Sequence, residues 1–343
     1  MAACHEKGIR VIFDGVFNHT GRDFFAFKDI QANREHSRYV NWYCNVNFGG
    51  NTEYNDGFSY ENWGGYNLLV KLNQRNPEVQ NYICDVIRFW VSEFDIDGIR
   101  LDAADVLDFD FMHALRRTAD EVKKDFWLMG EIIHGDYRVW ANDEMLDSVT
   151  NYECWKGIYS SHNDKNYFEI AYSLKRQFGQ GGLYENLCLY NFLDNHDVNR
   201  IGSLLKQREN LKNAYTLLYM MPGIPSIYYG SEWGIEGVKG QGMDADLPLR
   251  PKLNLKEMCA KEKDLPAHIR ELAEIRRESD AVKYGVYEEV LVRNKQFVFA
   301  RRSGEQYKVI ALNLTDHAET LHFSYQGKEY EVLLEAYTSK IME

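Results

Sequence analysis

The chain reads as an α/β protein, a TIM (β/α)8-type barrel followed by an antiparallel β-sandwich, on three observations. Four short apolar stretches end in polar groups: Val11-Ile12-Phe13-Asp14, Gly98-Ile99-Arg100-Leu101-Asp102, Phe126-Trp127-Leu128-Met129-Gly130-Glu131 and Phe192-Leu193-Asp194-Asn195-His196-Asp197. Segments with helical spacing of apolar residues separate most of them. From about Tyr284 the apolar period shortens to that of brief strands between polar turns. Buried parallel strands that carry polar groups at their C-terminal ends are how a β/α-barrel presents its reactive side chains.

The elements follow in order. Met1 to Gly8 reads as the tail of a helix ended by glycine, and a strand follows over Ile9 to Phe13. Residues 19–76 are rich in Asn, Gly and aromatics and read as an irregular inserted segment. Asn47-Phe48-Gly49-Gly50 and Trp63-Gly64-Gly65-Tyr66 are its turn candidates. Asn76-Pro77 opens a helix as N-cap and first helical residue, and Val79, Ile83, Ile87, Trp90, Val91 and Phe94 form its apolar stripe. A strand is predicted over Ile96 to Leu101, a helix over Phe109 to Lys124 and a strand over Phe126 to Ile132. Met145 to Tyr152 reads as a strand, Tyr167 to Phe178 as a helix and Leu187 to Leu193 as a strand. A helix over Leu211 to Met221 stops at Pro222-Gly223, a strand covers Ile224 to Tyr229, and His268 to Ala281 is the last helix of the barrel. Gln296 to Ala300, Tyr307 to Leu312, Thr320 to Phe323 and Tyr330 to Leu334 are strands of the sandwich.

Composition narrows the function. The 343 residues suffice for one large domain and a small one, and a net charge of −12 argues against nucleic acid or an anionic membrane as partner. The absence of a run of 18 apolar residues predicts no membrane span. Six dispersed cysteines show no paired zinc spacing, so they read as buried thiols of a reducing, cytoplasmic compartment. Aromatics make up 14% of the chain; most fill a core, and some suit a sugar site, because flat apolar rings cover pyranose faces.

Asp14-Gly15-Val16-Phe17-Asn18-His19, Gly98-Ile99-Arg100-Leu101-Asp102, Gly130-Glu131 and Phe192-Leu193-Asp194-Asn195-His196-Asp197 resemble, in this order, the four motif regions of the α-amylase family of glycoside hydrolases. Leu69-Val70-Lys71-Leu72-Asn73 resembles a fifth region of the cyclomaltodextrinase, neopullulanase and maltogenic amylase branch, with Val70 where that motif often has proline. By this resemblance the strand before Asp14 is the third of a barrel. The chain would then lack about two strands, and a homo-oligomer would close the open edges. The implied divisions are 1–18 as the start of the partial barrel, 19–76 as a domain inserted over the cleft, 77–282 as the rest of the barrel and 283–343 as the sandwich.

The resemblance also implies a chemistry. Asp102 is the nucleophile, Glu131 the general acid/base, and Asp197 hydrogen-bonds the sugar and stabilises its distorted ring. His19 and His196 offer donors to sugar hydroxyls, Asp14 and Trp63 are further substrate-binding candidates, and Asn18 is a candidate calcium ligand in a family that needs no other cofactor. Arg100 stands two residues before Asp102, so both point to one face of a strand, and its charge would keep Asp102 ionised and aimed. Carboxylates crowded into one pocket cannot all ionise easily, which makes Glu131 the natural proton holder. One departure stands out: Ala103-Ala104-Asp105-Val106 follows the nucleophile, where relatives often place a contact to the leaving sugar. The expected function is a retaining hydrolase of α-1,4-linked maltooligosaccharides or cyclodextrins. The alternatives are a transglycosylase and a silent fragment that still binds α-glucan.

Overall fold

The computed structural model describes residues 1–242 and 244–343, which divide into two units, Met1–Thr150 and Asn151–Glu343. The strands of the first unit are β1 (Ile12–Gly15), β2 (His19–Gly21), β3 (Asn62–Trp63), β4 (Tyr66–Lys71), β5 (Gly98–Leu101), β6 (Trp127–Gly130) and β7 (Ser148–Val149). Those of the second are β8 (Tyr190–Phe192), β9 (Ile224–Ser226), β10 (Val286–Val292), β11 (Gln296–Ser303), β12 (Gln306–Asn313), β13 (Glu319–Tyr325), β14 (Lys328–Leu334) and β15 (Ser339–Met342).

In the first unit β1, β5, β6 and β7 form a parallel sheet in that order. Ile99, Leu101 and Leu128 are fully buried in it, each worth about 1.5–3 kcal/mol of apolar transfer. Two glycines let these strands approach. A Cβ on Gly15 would stand 2.7 Å from Ile99, and one on Gly98 would stand 2.3 Å from the Trp127 carbonyl oxygen. The crossovers are helical as predicted. Pro77–Phe94 is capped by Asn76, whose side chain accepts from Glu78 N at 2.9 Å, and stops at Asp95 in the left-handed region. Phe109–Val122 is capped by Asp108, which accepts from Asp110 N and Phe111 N. Val79, Ile83 and Ile87 are the buried face of the first of these helices.

The segment 19–76 is more ordered than its composition predicts. It holds the helix Phe25–Asn33 and an antiparallel sheet in the order β2-β4-β3 around buried Phe27, Ile30, Tyr43, Phe58 and Tyr60. Gly64 and Gly65, both at positive φ, make the two-residue turn between β3 and β4 that such a hairpin requires.

In the second unit β8 and β9 pair in parallel. The predicted strand over Met145 to Tyr152 shrinks to β7, because Asn151 caps a helix, Tyr152–Asn163, that the sequence reading omitted. The helix expected over His268 to Ala281 begins earlier, at Asp264, and runs to Glu278. Downstream, β10, β11, β12 and β15 form one antiparallel sheet, and β13 with β14 forms a hairpin against it. Val298, Ala300, Val309 and Ala311 from the sheet meet Leu321, Phe323, Val332 and Leu334 from the hairpin in one apolar layer. The expected four strands are present, and β10 and β15 are added at the sheet's two edges. Among the described residues no helix is long and apolar enough to cross a membrane.

Candidate active site

Register brings the polar strand tips of the first unit into one layer. Asp14 on β1 is the partner of Arg100 on β5, and Leu101 is the partner of Gly130 on β6, so Asp102 and Glu131 each stand one residue beyond paired ends. The backbone ladder continues through them: Asp102 N donates to the Gly15 carbonyl at 3.1 Å and Glu131 N to the Leu101 carbonyl at 2.9 Å. The chain then turns sharply. Ala103 lies at φ 46°, ψ 44°, a left-handed conformation that costs a non-glycine residue about 1–3 kcal/mol. This turn aims the Ala103 N–H at Glu131 Oε2, 3.1 Å away, while Ala104 N donates to the Glu131 carbonyl at 3.0 Å.

One guanidinium organises three carboxylates. Arg100 Nη1 donates to Asp14 Oδ1 at 2.7 Å and to Asp102 Oδ1 at 3.2 Å, and Nη2 donates to Glu131 Oε2 at 2.9 Å. Burial works against the Arg100 charge, but Glu131, Asp14 and Asp102 outweigh it and raise the guanidinium above its ordinary range. Glu131 Oε2 thus accepts both from Arg100 and from the Ala103 backbone. Asp105, in the segment that departs from the family pattern, is pushed up by partial burial and by the charges of Glu131 and Asp102, against the pull of His134.

His19 is buried at the start of β2. Burial lowers its pKa, the Asp102 charge opposes that and Lys71 reinforces it, so the ring is neutral at neutral pH. Its tautomer follows from the neighbours. Lys71 Nζ, which can only donate, contacts Asn18 Oδ1 at 2.7 Å, so the other end of the Asn18 amide is the donor. That Nδ2 lies 3.4 Å from His19 Nδ1, which therefore accepts, and the ring proton sits on Nε2. His19 is thereby equipped to donate to a sugar hydroxyl.

The same contacts bear on the calcium expectation for Asn18. Its carboxamide oxygen accepts from Lys71 Nζ and from Gln74 Nε2 at 3.3 Å, so an ammonium already stands where a divalent ion would approach. Among the described residues no group of three His, Cys, Asp or Glu side chains has a metal-binding arrangement. The residues present do not fit a calcium ion at this position. Trp63, the aromatic candidate, belongs to this branch as well, with Lys71 Nζ 5.7 Å from its ring centroid.

In the second unit the peptide after β8 carries Asp194, Asn195, His196 and Asp197. Asn195 Oδ1 accepts from Asp197 N at 2.8 Å and Val198 N at 3.0 Å, a side-chain turn that fixes the Asp197 backbone, and Asn195 Nδ2 donates to the Tyr152 hydroxyl. His196 Nε2 lies 3.1 Å from Asp197 Oδ2. Two buried residues flank the turn, Asp194 within the motif and Arg200 beyond it. Asp194 Oδ2 accepts from Ile201 N and from Ser231 Oγ, each at 2.7 Å, yet burial pushes its carboxyl up to about 6. Arg200, fully buried, donates to the carbonyls of Tyr229 and Leu249 and to Ser231 Oγ, and its guanidinium lies 3.9 Å from the Tyr228 ring centroid. Asp194 was visible within the motif; nothing local to Arg200 marks it, since its partners lie 29 and more residues away.

The catalytic-domain model of the alpha-amylase family matches residues 1–281. A cyclomaltodextrinase of Thermoanaerobacter pseudethanolicus is 30% identical over 333 residues, 95% of this chain and 56% of that protein. Neopullulanase 2 of Thermoactinomyces vulgaris is 34% identical over 245 residues, 68% of this chain and 40% of that one. The solved structure of a debranching enzyme from Nostoc punctiforme superposes with a TM-score of 0.85 at 26% identity, covering 99% of this chain and 77% of that one. The chain spans about half the length of the curated relatives it matches. It belongs to the alpha-amylase family, in the branch of the cyclomaltodextrinases, maltogenic amylases and neopullulanases.

Proposed function

We propose that this alpha-amylase family chain is a retaining glycoside hydrolase of α-1,4-linked glucans, acting on maltooligosaccharides or cyclodextrins by double displacement. Asp102 attacks the anomeric carbon as the bond to the leaving oxygen breaks, and Glu131 gives its proton to that oxygen. Glu131, now a carboxylate, then takes a proton from water; the water oxygen bonds to the anomeric carbon and Asp102 is released with its charge. His19 donates to a sugar hydroxyl from Nε2. Asp197, on the strength of its motif, accepts from sugar hydroxyls.

The single observation that carries this reading is the shared guanidinium. Arg100 holds Asp102 and Glu131 in one hydrogen-bonded layer, and the strained Ala103 turn adds a second donor to the same oxygen of Glu131. A structural ion pair needs neither the left-handed alanine nor two carboxylates at adjacent strand ends. The test is reducing-sugar release from β-cyclodextrin and maltoheptaose, with Glu131→Gln as control. Turnover that falls by roughly 10²–10⁴-fold in the variant supports the acid role. Turnover equal in both proteins sinks it. Glucan binding with no turnover in the parent protein supports the silent reading, and new longer oligosaccharides in place of glucose and maltose support a transferase.

A further inference from the structure

Two guanidiniums of the second unit meet at the end of one helix without a carboxylate between them. Arg301, on β11, donates from Nη1 to the Met220 carbonyl at 2.9 Å and from Nη2 to the Gly285 carbonyl at 2.7 Å. Arg276, on the helix Asp264–Glu278, donates from Nη1 to the Tyr219 carbonyl at 2.7 Å and the Met221 carbonyl at 3.4 Å, and from Nη2 to the Gly223 carbonyl. These bonds satisfy orphan carbonyls at the C-terminal end of the helix Leu211–Met220. Among the described residues no carboxylate accompanies them. The groups that act on Arg301 are Arg276 and Cys188, and those that act on Arg276 are Cys188, Tyr219 and Tyr284. Lys283, which also feels Arg276, is neutralised by its own pair with Asp280 at 2.8 Å.

The charges do not balance. A helix C-terminus carries roughly half a negative charge, against two guanidiniums. Arg301 is 1% exposed, and its Nε–H is buried with no acceptor. Burial, and then the charge of Arg276, lower Arg301 to about 9, against the pull of Cys188. Burial lowers Arg276 too, whereas Arg100 among its three carboxylates is raised. A buried guanidinium in this state is costly unless an opposite charge joins it. The site is also within reach of solvent. Cys188, two residues before β8, is exposed, yet the surrounding protein raises its thiol, and Arg276 and then Arg301 oppose that rise. An exposed residue crowded in this way lines a recess, and both cations act on it.

We propose that the recess beside Cys188 binds a small inorganic anion, which accepts from the Arg301 Nε–H and offsets the charge of Arg301 and Arg276 together. A water molecule would satisfy the N–H and leave the charge. The bound anion ties β11 to the helix Asp264–Glu278, and both to the carbonyl end of Leu211–Met220, so its role is to hold the sandwich on the rest of the second unit. A halide and a tetrahedral oxyanion present the same chemistry to these donors, and the experiment separates them. The site lies at the end of β8 opposite the one that carries Asp194, and glucan turnover plays no part in it.

The experiment is thermal unfolding of the parent protein, Arg301→Met, Arg276→Gln, Cys188→Ser and Cys188→Asp against rising chloride or phosphate, with ionic strength held constant by potassium glutamate. The parent's unfolding temperature is expected to rise saturably, by about 5 °C at roughly a hundred-fold excess over the dissociation constant. The rise should persist in Cys188→Ser and be lost in Arg301→Met and Arg276→Gln. Cys188→Asp places a carboxylate in the recess, so it should be more stable than Cys188→Ser without added anion and respond to neither salt. Either response of the parent supports the site: phosphate alone identifies an oxyanion, and chloride a halide. An unfolding temperature indifferent to both salts overturns the proposal, because Arg301 then meets only water. An equal rise in the parent and in Arg301→Met also overturns it, since the salts then act on the protein surface in general. Should Arg301→Met fail to fold, the two Cys188 variants carry the same comparison, and an undiminished rise in Cys188→Asp overturns the proposal.

Discussion

Two aspartates of the motif regions live under opposite rules. Asp102, in the first unit, is one of three carboxylates around Arg100, each within 3.2 Å of a guanidinium nitrogen. Asp194, in the second unit, is more deeply buried, and its two hydrogen-bond donors, Ile201 N and Ser231 Oγ, are both neutral. Burial therefore wins at Asp194 and lifts it to about 6, with Glu232 adding to the lift and Arg200 too weak to cancel it. A carboxylate intended for chemistry needs a cation and an open face; one that staples a loop can be left to neutral donors. Motif membership alone does not distinguish the two, because the environment assigns the work.

The most severe way to break the contrast is to remove the cation. Arg100→Ala leaves Asp14, Asp102 and Glu131 facing one another without a counter-charge. Arg100 is only 14% exposed at the side chain, so breaking these pairs should cost about 3–5 kcal/mol. Urea denaturation followed by tryptophan fluorescence at pH 7 checks the number, and turnover should vanish with it. Arg100→Lys is expected to recover much of the stability and little of the activity, since an ammonium cannot span three acceptors as a planar fork does. A variant as stable as the parent would show that the three carboxylates relax without Arg100, and the comparison with Asp194 would lose its first half.

The strands that carry Asp14, Asp102 and Glu131 were legible because each joins an apolar run to a polar tip, a local pattern. The role of Arg100 was legible in part: its position two before Asp102 gave the shared face, but its bonds to Asp14 and Glu131 depend on the register of β1 and β6, which no local pattern contains. Lys71 stood out as a motif residue, whereas its partner Asn18 comes to it only through the pairing of β2 with β4. That pairing was itself hidden, because β4 exposes Tyr66 and Leu68 and so lacks a clean alternation of apolar and polar residues. The helix Tyr152–Asn163 went unread for a different reason. It is built largely from Tyr, Trp, Ser, Cys, Gly and His, weak helix formers that tertiary packing holds in place. Four-residue β15 at the sheet edge gave too short a pattern to separate from loop.

The contrast can be sharpened at Asp194 with pH. Its carboxyl titrates near 3.8 when unfolded and near 6 when folded, so the folded protein binds the extra proton between those values. The stability linked to that proton is fully present below about pH 4 and is lost as pH rises through 6. Asp194→Asn removes this dependence. Relative to the parent it should gain stability between pH 4 and pH 7, by an amount of order 3 kcal/mol if the whole shift is expressed. Paired urea titrations at pH 4.5 and pH 7.5 read it directly. A parent–variant difference that does not change between the two values would mean that Asp194 is no more shifted than an ordinary carboxyl group.

The smallest effect tests whether a cation can also work one step removed from the carboxylates. Lys71 orients the Asn18 amide, and the amide in turn sets the His19 tautomer. Lys71→Met deletes one charge-assisted hydrogen bond, worth roughly 1.5–3 kcal/mol where buried and less here because the ammonium is partly exposed. Its functional mark is more specific than its cost in stability. With no ammonium on Oδ1 the Asn18 amide is free to reverse and donate elsewhere, so the His19 proton is no longer confined to Nε2. Nitrogen-15 spectra of the imidazole should then show a mixture of tautomers where the parent shows Nε2–H alone, and maltoheptaose affinity should fall a few-fold. The same protein also tests the cation already in place. Calcium should leave the parent's unfolding temperature unchanged, because Lys71 repels it. Stabilisation of the parent by millimolar calcium, reversed by a chelator, would show that the ammonium yields its position to the metal.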